Sequence, residues 1–169
     1  MIGFLKNHIS EEEIQEILQI IINQYRNYRH LSNSPEFQNL FAEEYAPHNG
    51  KHGISWAISS AFPSEKLILD RLKVRKINYG PGHTRPELLA NNIKLHILSD
   101  STSFNSEYLR ECYMLNRNNF TGTQLYCFIK FKIHKNQLVN ISLCLPDENG
   151  SIVAEEIIYD KATLMKIAA

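Results

Sequence analysis

Three runs near the end of the chain alternate apolar and other residues with a period of two. Residues 124–133 place Leu125, Cys127, Ile129, Phe131 and Ile133 on one side. Residues 137–145 do the same with Val139, Ile141, Leu143 and Leu145, and a third run, 151–159, follows the turn sequence PDENG, which closes on Gly150. Period two is the mark of a strand with one face toward a core. The connections are too short for a crossover, so the three strands are read as antiparallel neighbours. Leu125, Ile129, Phe131, Val139, Ile141 and Leu143 are the expected centre of the core.

Two further strands are read upstream. In RLKVRKINY, Leu72 and Val74 alternate with Arg71, Lys73 and Arg75, and the phase slips near Lys76, which predicts a bulge. In NIKLHIL, Ile93, Leu95 and Ile97 share one face, and Lys94 and His96 the other. Residues 105–116 have helical spacing in Tyr108, Leu109, Cys112 and Leu115, which predicts a helix between the second and third strands.

The first 70 residues read as mainly helical. Ser10 and Glu13 have capping-box spacing, and Ile14, Ile17, Leu18, Ile21, Ile22 and Tyr25 form one stripe over 10–30. Shorter helices are predicted over 35–45 and 54–61, with a helical turn at 64–69. The expected fold is therefore one α+β domain over residues 1–169. N-terminal helices (1–70) pack on a mainly antiparallel sheet of about five strands (71–169).

Composition narrows the function classes. Lys+Arg and Asp+Glu both number 18, so the formal charge is zero and wholesale coating of nucleic acid or an anionic membrane is disfavoured. The charge is uneven, however. Between residues 65 and 96 stand seven Lys or Arg against three acids, whereas Asp147, Glu148, Glu155, Glu156 and Asp160 have no Lys or Arg among them. Cys112, Cys127 and Cys144 are odd in number, widely spaced and without a Cys-x-x-Cys pair, which reads as reduced thiols in a cytoplasmic protein. No signal-peptide h-region or membrane span is evident. The richness in Ile, Asn and Lys fits an AT-rich bacterial or phage genome.

The stretch NYGPGHTRPELLANNIKLHILSDSTSF, residues 78–104, carries the best site candidates. Gly80 and Gly82 flank Pro81 in a turn that favours positive φ. Thr84 and Glu87 repeat capping-box spacing, and Pro86 suits a first helical turn, so a short helix over HTRPELLANN is expected. A glycine turn entering a helix offers backbone amides to an anion, and His83 and Arg85 stand at its mouth. Gly80, Gly82, His83, Thr84 and Arg85 are thus the anion-binding candidates. If the two upstream strands pair, Arg71, Lys73, Arg75, Lys94 and His96 share a basic face suited to phosphate.

His96 with Asp100 as orienter, and His83, are the candidate catalytic groups. The hydroxyls of Ser101, Thr102 and Ser103 are explained by capping the next helix. His48 and His52 have metal-like spacing but lack a third ligand, so neither metal nor cofactor is expected. Tyr126, Phe128, Lys130 and Lys132 alternate on one strand face, which can meet a partner or lie under the N-terminal helices. The order of Arg75 or Arg85, the Ser101–Ser103 run and Glu156 resembles that of the ADP-ribosyltransferases at three points. The Glu-x-Glu pair of that family is replaced by adjacent Glu155 and Glu156, so the resemblance assigns no family.

Two functions follow as expectations. The first is a small accessory binding protein acting through a protein or nucleic-acid partner. The second is a small hydrolase or transferase on a phosphate-containing substrate at His83, Arg85 and His96.

Overall fold

A computed structural model describes residues 8–36, 53–54, 57–58, 67–68, 72–78, 84–90, 93–99, 107, 109–111, 113 and 125–162. The architecture is α+β. Helix α1 (Glu11–Ser32) precedes strands β1 (Leu67–Ile68), β2 (Leu72–Asn78), β3 (Thr84–Ala90), β4 (Ile93–Ser99), β5 (Leu125–His134), β6 (Gln137–Pro146) and β7 (Ile152–Asp160). They form a seven-stranded sheet in sequence order. Neighbours pair antiparallel except β4 and β5, which are parallel. A parallel pair needs a long crossover. The connection between Ser99 and Leu125 supplies it, with helical backbone at residues 107, 109–111 and 113.

The capping box forms as read. Glu13 N–H donates to Ser10 Oγ at 3.1 Å, and Ser10 N–H donates to the Glu13 carboxylate at 2.7 Å. The stripe of α1 buries Ile14, Ile17, Leu18 and Ile21 against one sheet face, together with Leu88, Leu95, Ile97, Ile129, Phe131, Ile141 and Leu143. Ile54, Ala57 and Ile58, where the helix over 54–61 is expected, join this core. A smaller cluster of Leu98, Leu109, Tyr126, Phe128 and Cys144 occupies the other face, under the helical residues near 109. Helices thus lie on both faces. Tyr126 and Phe128 sit under this second helical segment, not under α1.

Several expectations are corrected. The sheet has seven strands, not about five. Residues 67–68, expected in a helical turn, pair with β2. The expected helix over HTRPELLANN is strand β3, with Glu87 opposite Arg75 on one side and His96 on the other. Tertiary pairing overrides the capping pattern: β2 and β4 each expose an edge, and a strand between them satisfies both. Pro86 is tolerated because pairing to β4 starts only at Glu87. The Asn91–Asn92 pair, read as a helix end, lies outside the described residues. No bulge occurs at Lys76, since β2 and β3 pair without interruption from Lys73 to Asn78. The bulge in this part of the core lies instead in β6. Lys132 pairs with Asn140 and Ile133 with Leu138, so Val139 is the extra residue. Leu138 is therefore buried and Val139 half-buried. The two-residue β5–β6 turn places Lys135 and Asn136 at φ of 47° and 58°, the left-handed geometry of a tight hairpin.

Candidate functional site

The face opposite α1 carries a row of charged and polar residues. Paired positions run Arg75, Glu87, His96, Phe128, Cys144 and Glu155 across β2 to β7. A parallel row holds Lys73, Leu89, Lys94 and Tyr126. Lys94 and His96 share a face as expected, and β3 lies between their strand and that of Lys73 and Arg75. The face is not a solvated basic surface, because Glu87 stands in its middle and Lys94 and His96 are buried.

Glu87, His96 and Tyr126 are 0%, 1% and 2% exposed. The Tyr126 hydroxyl lies 2.6 Å from His96 Nδ1, and His96 Nε2 faces Glu87 Oε1 at 3.5 Å. The Tyr126 hydroxyl and His96 Nδ1 share a hydrogen bond, and the Glu87 carboxylate lies opposite Nε2 at ion-pair distance, longer than a hydrogen bond. Edge-to-face contacts of Tyr126 with Tyr113 and Phe128 seal the cluster. His96 was singled out as a general base. Its ring lies between Tyr126 and Glu87 on the two neighbouring strands and is 1% exposed. The group ties β3, β4 and β5 together.

Further along the same face the sheet opens. Lys130 Nζ lies 2.6 Å from Glu155 Oε1, and Ser142 Oγ donates to the same oxygen at 2.7 Å. Burial pushes the Glu155 carboxyl up, but the hydrogen bonds from Lys130 and Ser142 and the Lys130 charge outweigh it and hold the group below its ordinary 4.5. Burial raises the Cys127 thiol to about 12 and the Cys144 thiol to about 11, so neither is a thiolate nucleophile at neutral pH.

A groove of about 580 Å³ runs between α1 and β7. One wall is Gln15, Leu18, Gln19, Ile22 and Arg26, a single helical stripe; the other is Ile157 to Asp160. Burial pushes the Tyr159 phenol up, and nearby Arg26 partly offsets this. A bulge shapes the strand wall. Ile141 pairs with Tyr159 and Ser142 with Ile157, so Ile158 is the extra residue, and both Ile158 and Tyr159 pack toward the α1 core. β7 is the last strand of the sheet, and no described residue pairs with its outer edge. Val153 and Ile157 on this strand are 60% and 58% exposed.

The other site candidates fare as follows. Arg71, Gly80, Gly82, His83, His48, His52, Asp100 and Ser101 to Ser103 lie outside the described residues. Thr84 and Arg85 lie on β3, so the helix N-terminus that motivated an anion site there is not formed. Arg75 and Glu156 lie on the second and seventh strands, five spacings or roughly 24 Å apart along the sheet. They do not form the shared site that the ADP-ribosyltransferase order implies. Among the described residues no helix is long and apolar enough to cross a membrane, and no cluster of three metal-ligating side chains occurs. The sequence reading missed Glu87 and Tyr126 as partners of His96, and the groove itself. A pairing partner is not encoded locally; the groove was foreshadowed only by the acidic, alternating β7 beside a one-faced helix. No family model matches the chain, and comparison with curated proteins and with solved structures found no match.

Proposed function

We propose that the chain is a small binding module whose α1–β7 groove receives an extended segment of a partner protein. The observation that carries this reading is a strand edge with which no described residue pairs, set beside a facing helix across an open groove. An edge strand offers backbone donors and acceptors to an incoming strand, and the helix supplies a wall for alternate side chains. The groove length fits: Gln15 to Arg26 spans roughly 16 Å of helix, enough for about five extended residues. The acidic character of β7 disfavours a nucleic-acid strand there, since phosphates would meet Glu155, Glu156 and Asp160. The hydrolase or transferase reading loses its described basis, because His96 is enclosed and Arg85 is not at a helix start.

Selection from a random peptide display library tests the proposal. The wild-type chain should enrich a related set of short peptides. The groove-blocking variants Gln19→Trp and Ile157→Arg should not enrich that set. Equal enrichment on wild type and variants, or none on either, would contradict the groove reading.

A further inference from the structure

The turn that leads from β6 into β7 carries a chemistry that neither the groove nor the enclosed cluster uses. Asn149 stands immediately before Gly150 and is exposed to water. Every other asparagine among the described residues precedes a residue with a side chain. The amide nitrogen that follows an asparagine can close a ring on its side-chain carbonyl, and glycine alone brings no Cβ into the way of that ring. We propose that Asn149 is a site of self-modification, deamidating through its own backbone, and that Asp147 sets the rate by holding the turn closed.

The step consumes water and releases ammonia. The Gly150 N–H gives its proton to hydroxide, and the nitrogen attacks Asn149 Cγ. A C–N bond forms there as the side-chain nitrogen leaves as ammonia, taking a proton from water. Water then opens the cyclic imide at either carbonyl. One opening leaves aspartate at 149. The other leaves isoaspartate, whose backbone runs through the side chain and is one methylene longer. Either product carries one more negative charge, in a chain whose formal net charge is zero.

The geometry of the turn controls access to this step. Gly150 N–H donates to the Asp147 carbonyl at 3.1 Å, and Asp147 N–H to the Ser151 carbonyl at 2.8 Å. Glu148 and Asn149 are not among the residues at positive φ, whereas Gly150 is at 80°. This is a type I turn closed by a left-handed glycine, a common three-residue hairpin. The near-zero ψ of its third residue holds Asn149 Cβ and the Gly150 nitrogen roughly 120° apart about the Cα–C bond, whereas ring closure needs them nearly eclipsed. The attacking nitrogen is also engaged, and Gly150 is buried. The reaction therefore runs through an open form of the turn. The Asp147 carboxylate is the latch. Its Oδ1 accepts from Asn149 N–H at 2.9 Å and from Ser151 N–H at 2.8 Å, and an ionised acceptor makes the stronger hydrogen bond.

Timed incubation of the full chain at mildly alkaline pH, followed by peptide mapping, is the test. Mapping separates Asn149 from Asn49, which also precedes glycine and lies outside the described residues. A capped peptide of residues 146–152 gives the unhindered rate. Asn149 in the folded chain should convert about ten-fold more slowly than in that peptide, as a locally opening segment does. Asp147→Ala should remove most of the difference, and Asp147→Asn, which keeps an oxygen acceptor, should retain it. Asn136 is exposed but followed by Gln137, and should stay intact over the same period. If Asp147→Ala fails to fold, urea below the unfolding transition takes its place: conversion in wild type should rise in step with hydrogen exchange of the Gly150 amide.

No conversion in the folded chain or in Asp147→Ala, while the peptide converts fully, would overturn the site. Conversion of wild type at the peptide's rate, or equal rates in wild type and Asp147→Ala, would overturn the latch. Conversion that stays constant while Gly150 exchange rises would overturn the open-form route. Equal conversion at Asn136 would overturn the role of Gly150.

Discussion

Two ends of one sheet face hold polar clusters of similar composition, and they differ in what covers them. At β3 to β5, Glu87, His96 and Tyr126 lie beneath the helical residues near 109 and are enclosed. At β5 to β7, Lys130, Ser142 and Glu155 form a comparable set, but Glu155 is exposed and lies on the last strand of the sheet. The lesson is that residue type alone does not mark a site. A histidine between a carboxylate and a phenol looks catalytic in isolation, yet here all three groups are enclosed and lie on neighbouring strands. At the open end Glu155 is exposed and Lys130 partly so, while Ser142 is buried.

The comparison is broken or sharpened first by stability. Phe128→Ala at the enclosed end should cost about 3–5 kcal/mol, and Ile141→Ala in the α1 core about 2–4 kcal/mol, by the transfer and cavity losses of a well-packed interior. Chemical denaturation reads both. A Phe128→Ala chain as stable as wild type would mean that the second face is not packed as described.

Next in size is Tyr126→Phe. It removes the hydroxyl 2.6 Å from His96 Nδ1 and leaves that nitrogen buried. The cost should be about 1–3 kcal/mol. A neutral result would show that His96 finds its bond elsewhere, and the contrast between the two ends would weaken.

The open end should respond less. Lys130→Met should lower stability by under about 1 kcal/mol at neutral pH, because the Lys130–Glu155 pair is partly exposed and screened. The sign with pH follows from the lowered Glu155 carboxyl. Its contribution is complete above the unfolded value near 4.5 and is lost as pH falls through the lower folded value. The gap between wild type and Lys130→Met should therefore close in acid. A gap that widens in acid would contradict the assignment. Smallest of all, Ile157→Ser should change stability by no more than about 0.5 kcal/mol, as exposed substitutions do.

Much of the framework was legible in the sequence. Ser10 with Glu13 marks the start of α1, and the Ile14 to Ile21 stripe marks its buried side, because both signals are local. The alternation around Ile129, Phe131, Ile141 and Leu143 gives the central strands for the same reason. β3 was not legible. Thr84, Pro86 and Glu87 have the spacing of a helix start, and only the edges of β2 and β4 decide against it. Val139 was misplaced because a single extra residue shifts the phase, and alternation cannot say where a bulge falls. Of the site candidates, His96 and Lys94 were placed on the correct face but their burial was not foreseen. Burial depends on the crossover helix, whose docking no strand pattern encodes. The groove joins α1 to the far end of the chain, and no local pattern predicts such a meeting.

Hydrogen exchange on β7 tests the central claim most directly. A peptide enriched by the wild-type groove should slow exchange at outward-facing amides within Ala154 to Ile157, leaving the amides of the β3–β4 pair unchanged. Protection confined to β2 or β3, or binding without any change on β7, would contradict the account.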